Sequence, residues 1–186
     1  YICCHHEQSC AMAAESYFRL SGKLAALNVT AGPGSINTLN GVFGAYVDSL
    51  GMIVISGQAK RETMARNYDI PLRQLGDQEV DIVSVVRPVT KYATVLQKPE
   101  KVRHVMEKAI FLATNGRPGP VWIDVPLDVS NAKIVPLKIE SYIPKNIKKE
   151  LSDIKTNNII EKLHSSVRPL IIVGNGIRLS GAVKSF

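Results

Sequence analysis

Two strand-to-helix corners near the start constrain this chain more than any other feature. At Glu7 the short apolar run Tyr1-Ile-Cys-Cys4 meets a stretch of small residues that predicts a helix over residues 8–20. At Ala31-Gly-Pro-Gly34 the run Leu24-Ala-Ala-Leu-Asn-Val-Thr30 gives way to a second helix near residues 36–49. Parallel strands need crossover connections, usually helical, so repeated strand–corner–helix units predict βαβ packing. The expected fold class is α/β, a doubly wound parallel sheet with helices on both faces. Such sheets keep ligands outside the carboxyl ends of their strands, which is where both corners would stand.

The rest of the chain continues the alternation. Met52-Ile-Val-Ile-Ser56 reads as a strand covered on both faces. Residues 58–76 are polar and irregular, with Pro71 as a breaker. A short helix over 79–86 and an extended stretch over 91–96 follow. Pro99 suits the first turn of a helix through residue 113, whose apolar face carries Val102, Val105, Met106, Ala109 and Ala113. Asn115-Gly116 closes that helix, and Val121-Trp-Ile-Asp-Val125 is the next strand. Residues 1–130 therefore form one domain, with its first strand and helix expected upstream of Tyr1. Residues 131–157 read as a linker. Residues 158–186, with a helix over 158–165 and a strand over 170–173, read as the truncated start of a second α/β domain.

Composition excludes several classes. Hydrophobic residues make up 45% and charged residues 21%, which rules out a wholly disordered chain. No apolar run reaches the roughly 18 residues that cross a bilayer. The net charge of +7 gathers partly at Lys145, Lys148 and Lys149 and at Lys60, Arg61 and Arg66. No aromatic-interleaved basic stripe accompanies it, so it reads as solvated surface, with no nucleic-acid or membrane partner. The three cysteines, Cys3, Cys4 and Cys10, form no CxxC pair and point to reduced thiols and a cytoplasmic setting.

Metal and phosphate motifs fail on inspection. Cys3, Cys4, His5 and His6 are consecutive, and neighbouring strand residues face opposite ways. His6-Glu7-Gln8-Ser9-Cys10 lacks the second histidine of HExxH, and Gly174-Asn-Gly-Ile-Arg-Leu179 lacks the third glycine of GxGxxG. No metal site is expected in this chain. The Gly32-Pro33-Gly34 turn could cradle an anion at a helix start. Proline removes one backbone donor, however, and no GK[ST] follows, so the turn suits a flat neutral ring better.

In order and approximate spacing, His6-Glu7-Gln8, Thr30-Ala-Gly-Pro-Gly-Ser-Ile-Asn37, Ser56-Gly-Gln58, Asp77-Gln-Glu79 and Gly116-Arg-Pro-Gly-Pro-Val121 resemble the pyrimidine-binding domain of thiamine-diphosphate enzymes. The likeness is greatest to the acetolactate synthase group. It covers roughly residues 5–130, and Arg168-Pro-Leu-Ile-Ile-Val-Gly-Asn-Gly-Ile-Arg178 resembles the opening of that family's central domain. The resemblance implies a transferase or lyase that decarboxylates a 2-oxo acid or ligates the resulting carbanion to an acceptor. Glu7 would hydrogen-bond N1′ of the cofactor's aminopyrimidine as the catalytic acid–base group, from a poorly solvated position. Thr30, Gly32, Pro33, Gly34 and Asn37 would line the cofactor, and Asp77 and Gln78 would face the substrate. The resemblance also implies Mg2+ held by a C-terminal domain outside this chain, a homodimer or homotetramer formed through the pyrimidine domain, and no activity for the chain alone; it leaves FAD open.

Two departures from the acetolactate synthase pattern bear on substrate. Asp77 stands where that group has an aromatic residue, and residues 59–75 are longer and more basic. Other 2-oxo acids, or nucleotide-linked sugars, stay open as substrates. A stand-alone basic α/β module gripping an anion at Gly32–Gly34 is the alternative without catalysis.

Overall fold

The computed structural model describes residues 1–136, 139–144 and 153–186. The lysine cluster at 145, 148 and 149 lies outside the described residues. The chain divides into two units, Tyr1–Pro144 and Lys145–Phe186.

In the first unit, helix α1 (Glu7–Ser21) forms because alanines and long side chains favour it and both ends are capped. His6 is its N-cap, with Nδ1 accepting the Gln8 N–H at 3.2 Å. Gly22, at φ 70°, ends it with an N–H bond to Phe18 O at 2.8 Å. Strand β1 (Ala25–Val29) follows, and then the helices α2 (Pro33–Asn37) and α3 (Leu39–Val47). The helix expected over 36–49 is thus two, starting earlier and breaking at Thr38. Strand β2 (Met52–Gln58) leads to an excursion with two 3₁₀ turns, and then to α4 (Ile82–Val86) and β3 (Tyr92–Val95). A 3₁₀ turn at Pro99–Lys101 opens α5 (Val102–Thr114), and β4 (Pro120–Pro126) runs into the short α6 (Leu127–Ser130).

The four strands are all parallel, in the order β1-β2-β4-β3. Their register sets Val29, Ser56, Asp124 and Val95 in one row near the carboxyl edge. On one face Ile53, Val121 and Ile123 pack against Ala109 and Ala113 of α5. Met52, Val54 and Trp122 alternate to the other face, where α3 and α4 lie, and are fully buried. Each such side chain contributes about 1.5–3 kcal/mol relative to exposure. Helices on both faces of a parallel sheet make this the expected doubly wound α/β fold.

Two expected strands do not form. Residues 1–4 are exposed and irregular, and a groove of about 580 Å³ separates them from β1. A strand exists only by pairing, and four apolar residues with no neighbouring ladder have nothing to pair with. The same reason applies to Leu170–Val173 in the second unit. There Leu170 is 86% and Ile172 90% exposed, and no strand forms among the described residues. That unit contains α7 (Asp153–Ser165) and α8 (Gly176–Leu179).

Candidate functional site

The site assembles at the carboxyl edge of β1 from its two corners. Glu7 opens α1, and its backbone N–H, one of the helix's unpaired first-turn donors, bonds its own carboxylate. From α2, Asn37 Nδ2 donates to Glu7 Oε2 at 3.1 Å and lies 3.3 Å from His6 Nε2. The backbone bond, then the Asn37 bond, holds the Glu7 carboxyl below its ordinary value. Glu7 is half-buried, and burial raises its pKa less than these bonds lower it. The poorly solvated acid expected from the sequence is therefore an anion stabilised by donors in this chain.

The turn between β1 and α2 is shaped by close approach. A Cβ on Gly34 would stand 2.6 Å from Thr30 Cγ2 and 3.2 Å from Glu7 Oε1, so only glycine lets the helix lie against the carboxylate. Gly32 has φ 60°, and a Cβ there would meet the Gln78 carbonyl oxygen at 2.3 Å. Pro33 fills the first position of α2 and is exposed, as suits a residue with no N–H to offer. Ser35 Oγ donates to Thr30 O at 2.7 Å and fixes the turn.

Glu7, Thr30, Gly34 and Asn37 are thus brought together, and the Gln78 backbone lies on Gly32. Asp77 and Gln78 are exposed on the same segment, and Gln78 takes φ 52°, rare for a non-glycine residue. Glu79 organises this excursion. Its Oε1 accepts the Ala65 N–H at 2.7 Å, and its Oε2 accepts those of Leu75 and Gly76 at 3.0 and 3.1 Å.

Sequence reasoning missed a buried polar chain beneath the site. Ser56 Oγ donates to Asp124 Oδ1 at 2.6 Å and accepts from Trp122 Nε1 at 2.7 Å. Gln58 Nε2 donates to Asp124 Oδ2 at 2.9 Å and to Val80 O at 2.8 Å. Burial pushes Asp124 up to about 6, against the Ser56 and Gln58 bonds that lower it. The available signal was three polar residues, at 56, 58 and 124, ending two otherwise continuous apolar strands.

The first residues make no metal cluster: no group of three potential ligands occurs among the described residues, and all three cysteines are free. No described helix is long and apolar enough to cross a membrane.

The family model for "Thiamine pyrophosphate enzyme, N-terminal TPP binding domain" matches residues 1–85. The acetolactate synthase large subunit of Lactococcus lactis is 34% identical over 188 residues, 100% of this chain and 31% of that protein. The probable acetolactate synthase large subunit of Methanocaldococcus jannaschii is 34% identical over 193 residues, 98% of this chain and 30% of that protein. The chain thus spans about a third of the length of these curated relatives. Among solved structures, a thiamine diphosphate-dependent 4-hydroxybenzoylformate decarboxylase from Rhodococcus jostii aligns with TM-score 0.75 at 22% identity. That alignment covers 96% of this chain and 33% of the other, and it establishes a shared fold.

Proposed function

This chain carries the N-terminal cofactor-binding domain of the thiamine pyrophosphate enzymes, acetolactate synthase-like in sequence, and from that premise we propose that it supplies the pyrimidine half of an active site. The whole protein would decarboxylate a 2-oxo acid, ligate the resulting fragment to an acceptor, or both. The observation that carries this reading is the Glu7 carboxylate, held by Asn37 against the Gly34 turn at the carboxyl edge of a parallel sheet.

The residues fit the group. Glu7 offers an anionic oxygen to a ring nitrogen, while Gly34 lets the turn lie directly against that carboxylate. Thiamine diphosphate, when bound, supplies the carbanion chemistry that amino-acid side chains lack. Glu7 would hold a proton at the ring nitrogen N1′, a general acid–base role. Asn37 orients its second oxygen, Thr30 and Pro33 border the turn, and Gly32 passes the substrate-side segment of Asp77 and Gln78 close by. We assign the Mg2+ that binds the diphosphate to sequence outside this chain and leave FAD unassigned.

We further propose assembly through this domain as a homodimer or homotetramer. Exposed Ile36, Phe43, Tyr46 and Val47 support it, because they leave apolar side chains uncovered on α2 and α3, the helices that follow the site turn. Three free cysteines support a reducing, cytoplasmic setting.

The test uses the longer protein that contains this chain. Thiamine diphosphate with Mg2+ should produce cofactor-dependent consumption of a 2-oxo acid, and Glu7→Gln should abolish most of it. Phosphate binding at the Gly32 turn without any turnover would favour the anion-binding module instead. Asp77, in place of an aromatic residue, favours acceptors other than those of acetolactate synthases. Asp77→Phe should shift preference among 2-oxo acid acceptors while leaving cofactor proton exchange unchanged; an unmoved preference would remove Asp77 from the substrate side.

A further inference from the structure

The two halves of the site meet at one backbone contact, and that contact is held from beneath. Gln78 lays its carbonyl over Gly32, where no Cβ could stand. Two residues on, Val80 O accepts from Gln58 Nε2, which also donates to Asp124 Oδ2, while Gln58 Oε1 accepts the Ala59 N–H at 2.9 Å. Every polar group of the Gln58 amide is therefore committed. A carboxylate has no donor of its own when ionised, so Asp124 fixes which end of that amide faces the sheet. Ser56, bonded in turn by Trp122, holds the other carboxylate oxygen.

Asp124 is 1% exposed, and the chemistry proposed for Glu7 does not use it. Burying a carboxylate is costly, and a sheet of apolar strands forms without one. The charges facing it are Arg66 and Asp81, themselves paired at 2.7 Å. Just past β3, the Leu96 N–H donates to the Asp124 backbone carbonyl at 2.8 Å.

We propose that Asp124 is a positioning residue: by fixing the Gln58 amide it clamps Val80, and so holds the segment from Gly76 to Val80 on the Gly32 turn. The sheet thereby joins the substrate side of the site to the cofactor side. The functional half of this inference rests on the reading of Asp77 and Gln78 as substrate-side residues. The clamp itself stands on geometry alone.

Amide hydrogen exchange of the 186-residue chain tests the clamp. Asp124→Leu and Gln58→Met should each raise exchange across residues 75–80 about tenfold, the upper scale of one lost amide–carbonyl hydrogen bond. Exchange in α1 and β1 should stay unchanged. Asp124→Asn should spare the segment, because its amide oxygen can face Gln58 while its NH2 donates to Ser56. Should Asp124→Leu not fold, Gln58→Met carries the test. Unchanged exchange over 75–80, or a uniform rise across β2 and β4, would overturn the clamp. In the longer protein, Gln58→Met should raise KM for the 2-oxo acid about tenfold, with kcat and cofactor affinity held within about twofold. Released exchange with an unmoved KM would keep the clamp and overturn the substrate-side assignment.

Discussion

Glu7 meets two opposed demands. The helix start and Asn37 favour its anion, whereas holding a proton at a ring nitrogen asks for a value nearer neutrality. The ligand itself reconciles them, since a flat neutral ring seated on the exposed side removes water and raises the carboxyl. The carboxyl should therefore titrate below the usual glutamate range in the free chain. Asn37→Ala should move it upward, because it removes the second-largest cause of the depression. Carboxyl carbon NMR titration reads this directly, and an unmoved Glu7 in Asn37→Ala would deny the contact. In the longer protein Glu7→Gln keeps the shape and loses the shareable proton. Turnover should fall about 10²–10⁴-fold with the fold intact by circular dichroism. Loss of folded signal instead would make Glu7 a structural residue.

At the scale of elements, the paired ends of β2 and β4 carry a pH-dependent strain. Asp124 titrates near 6 when folded and near 3.8 when unfolded, so between those values the folded chain binds more protons. Its contribution is thus fully present below about pH 4 and is lost as pH rises through 6, on the order of 3 kcal/mol in all. Asp81 and Asp128, whose values are lowered, act in the opposite sense. They cancel when wild type is compared with Asp124→Asn. Urea unfolding at pH 4.5 and pH 7 should show wild type losing stability relative to the variant as pH rises; parallel curves would refute the buried-carboxylate assignment. β2 and β4 were legible in the sequence because continuous apolar runs mark strands covered on both faces. The polar residues that end them carry no such period, and their meaning appears only when the register sets Ser56 beside Asp124. Residues 1–4 and 170–173 failed for the converse reason: an apolar run proposes a strand, but a neighbouring ladder must supply its hydrogen bonds. The turns at Glu7 and Gly32–Gly34 were legible because an acid or a glycine-proline turn opening a helix stands out in sequence. The Gln78 contact on Gly32 was not, since it depends on a φ of 52° that glutamine does not advertise.

For the whole molecule, the proposed half-site lies open and is followed by helices with uncovered apolar side chains. The Glu7 corner opens to solvent, and α3 alongside presents Phe43 at 56% and Val47 at 52% exposure, with Ile36 of α2 at 45%. Phe43 and Val47 are four residues apart and share one helix face, so a facing surface can cover both at once. Ile36 stands next to Asn37, which bonds Glu7, so a surface that reaches it would also withdraw water from Glu7, the desolvation that its proposed role requires. Under the proposed assembly, activity and association should fail together. The chain alone should show no turnover of any 2-oxo acid, whereas the longer protein should sediment as a dimer or tetramer and turn over. Phe43→Asp places a charge in the middle of that face, where burial would cost several kcal/mol. It should shift sedimentation toward monomer and lower cofactor-dependent turnover in proportion to the dimer lost, with recovery at high protein concentration. A Phe43→Asp protein that stays associated and fully active would show that this face is free in the assembly, and that Glu7 is shielded by something other than a second copy.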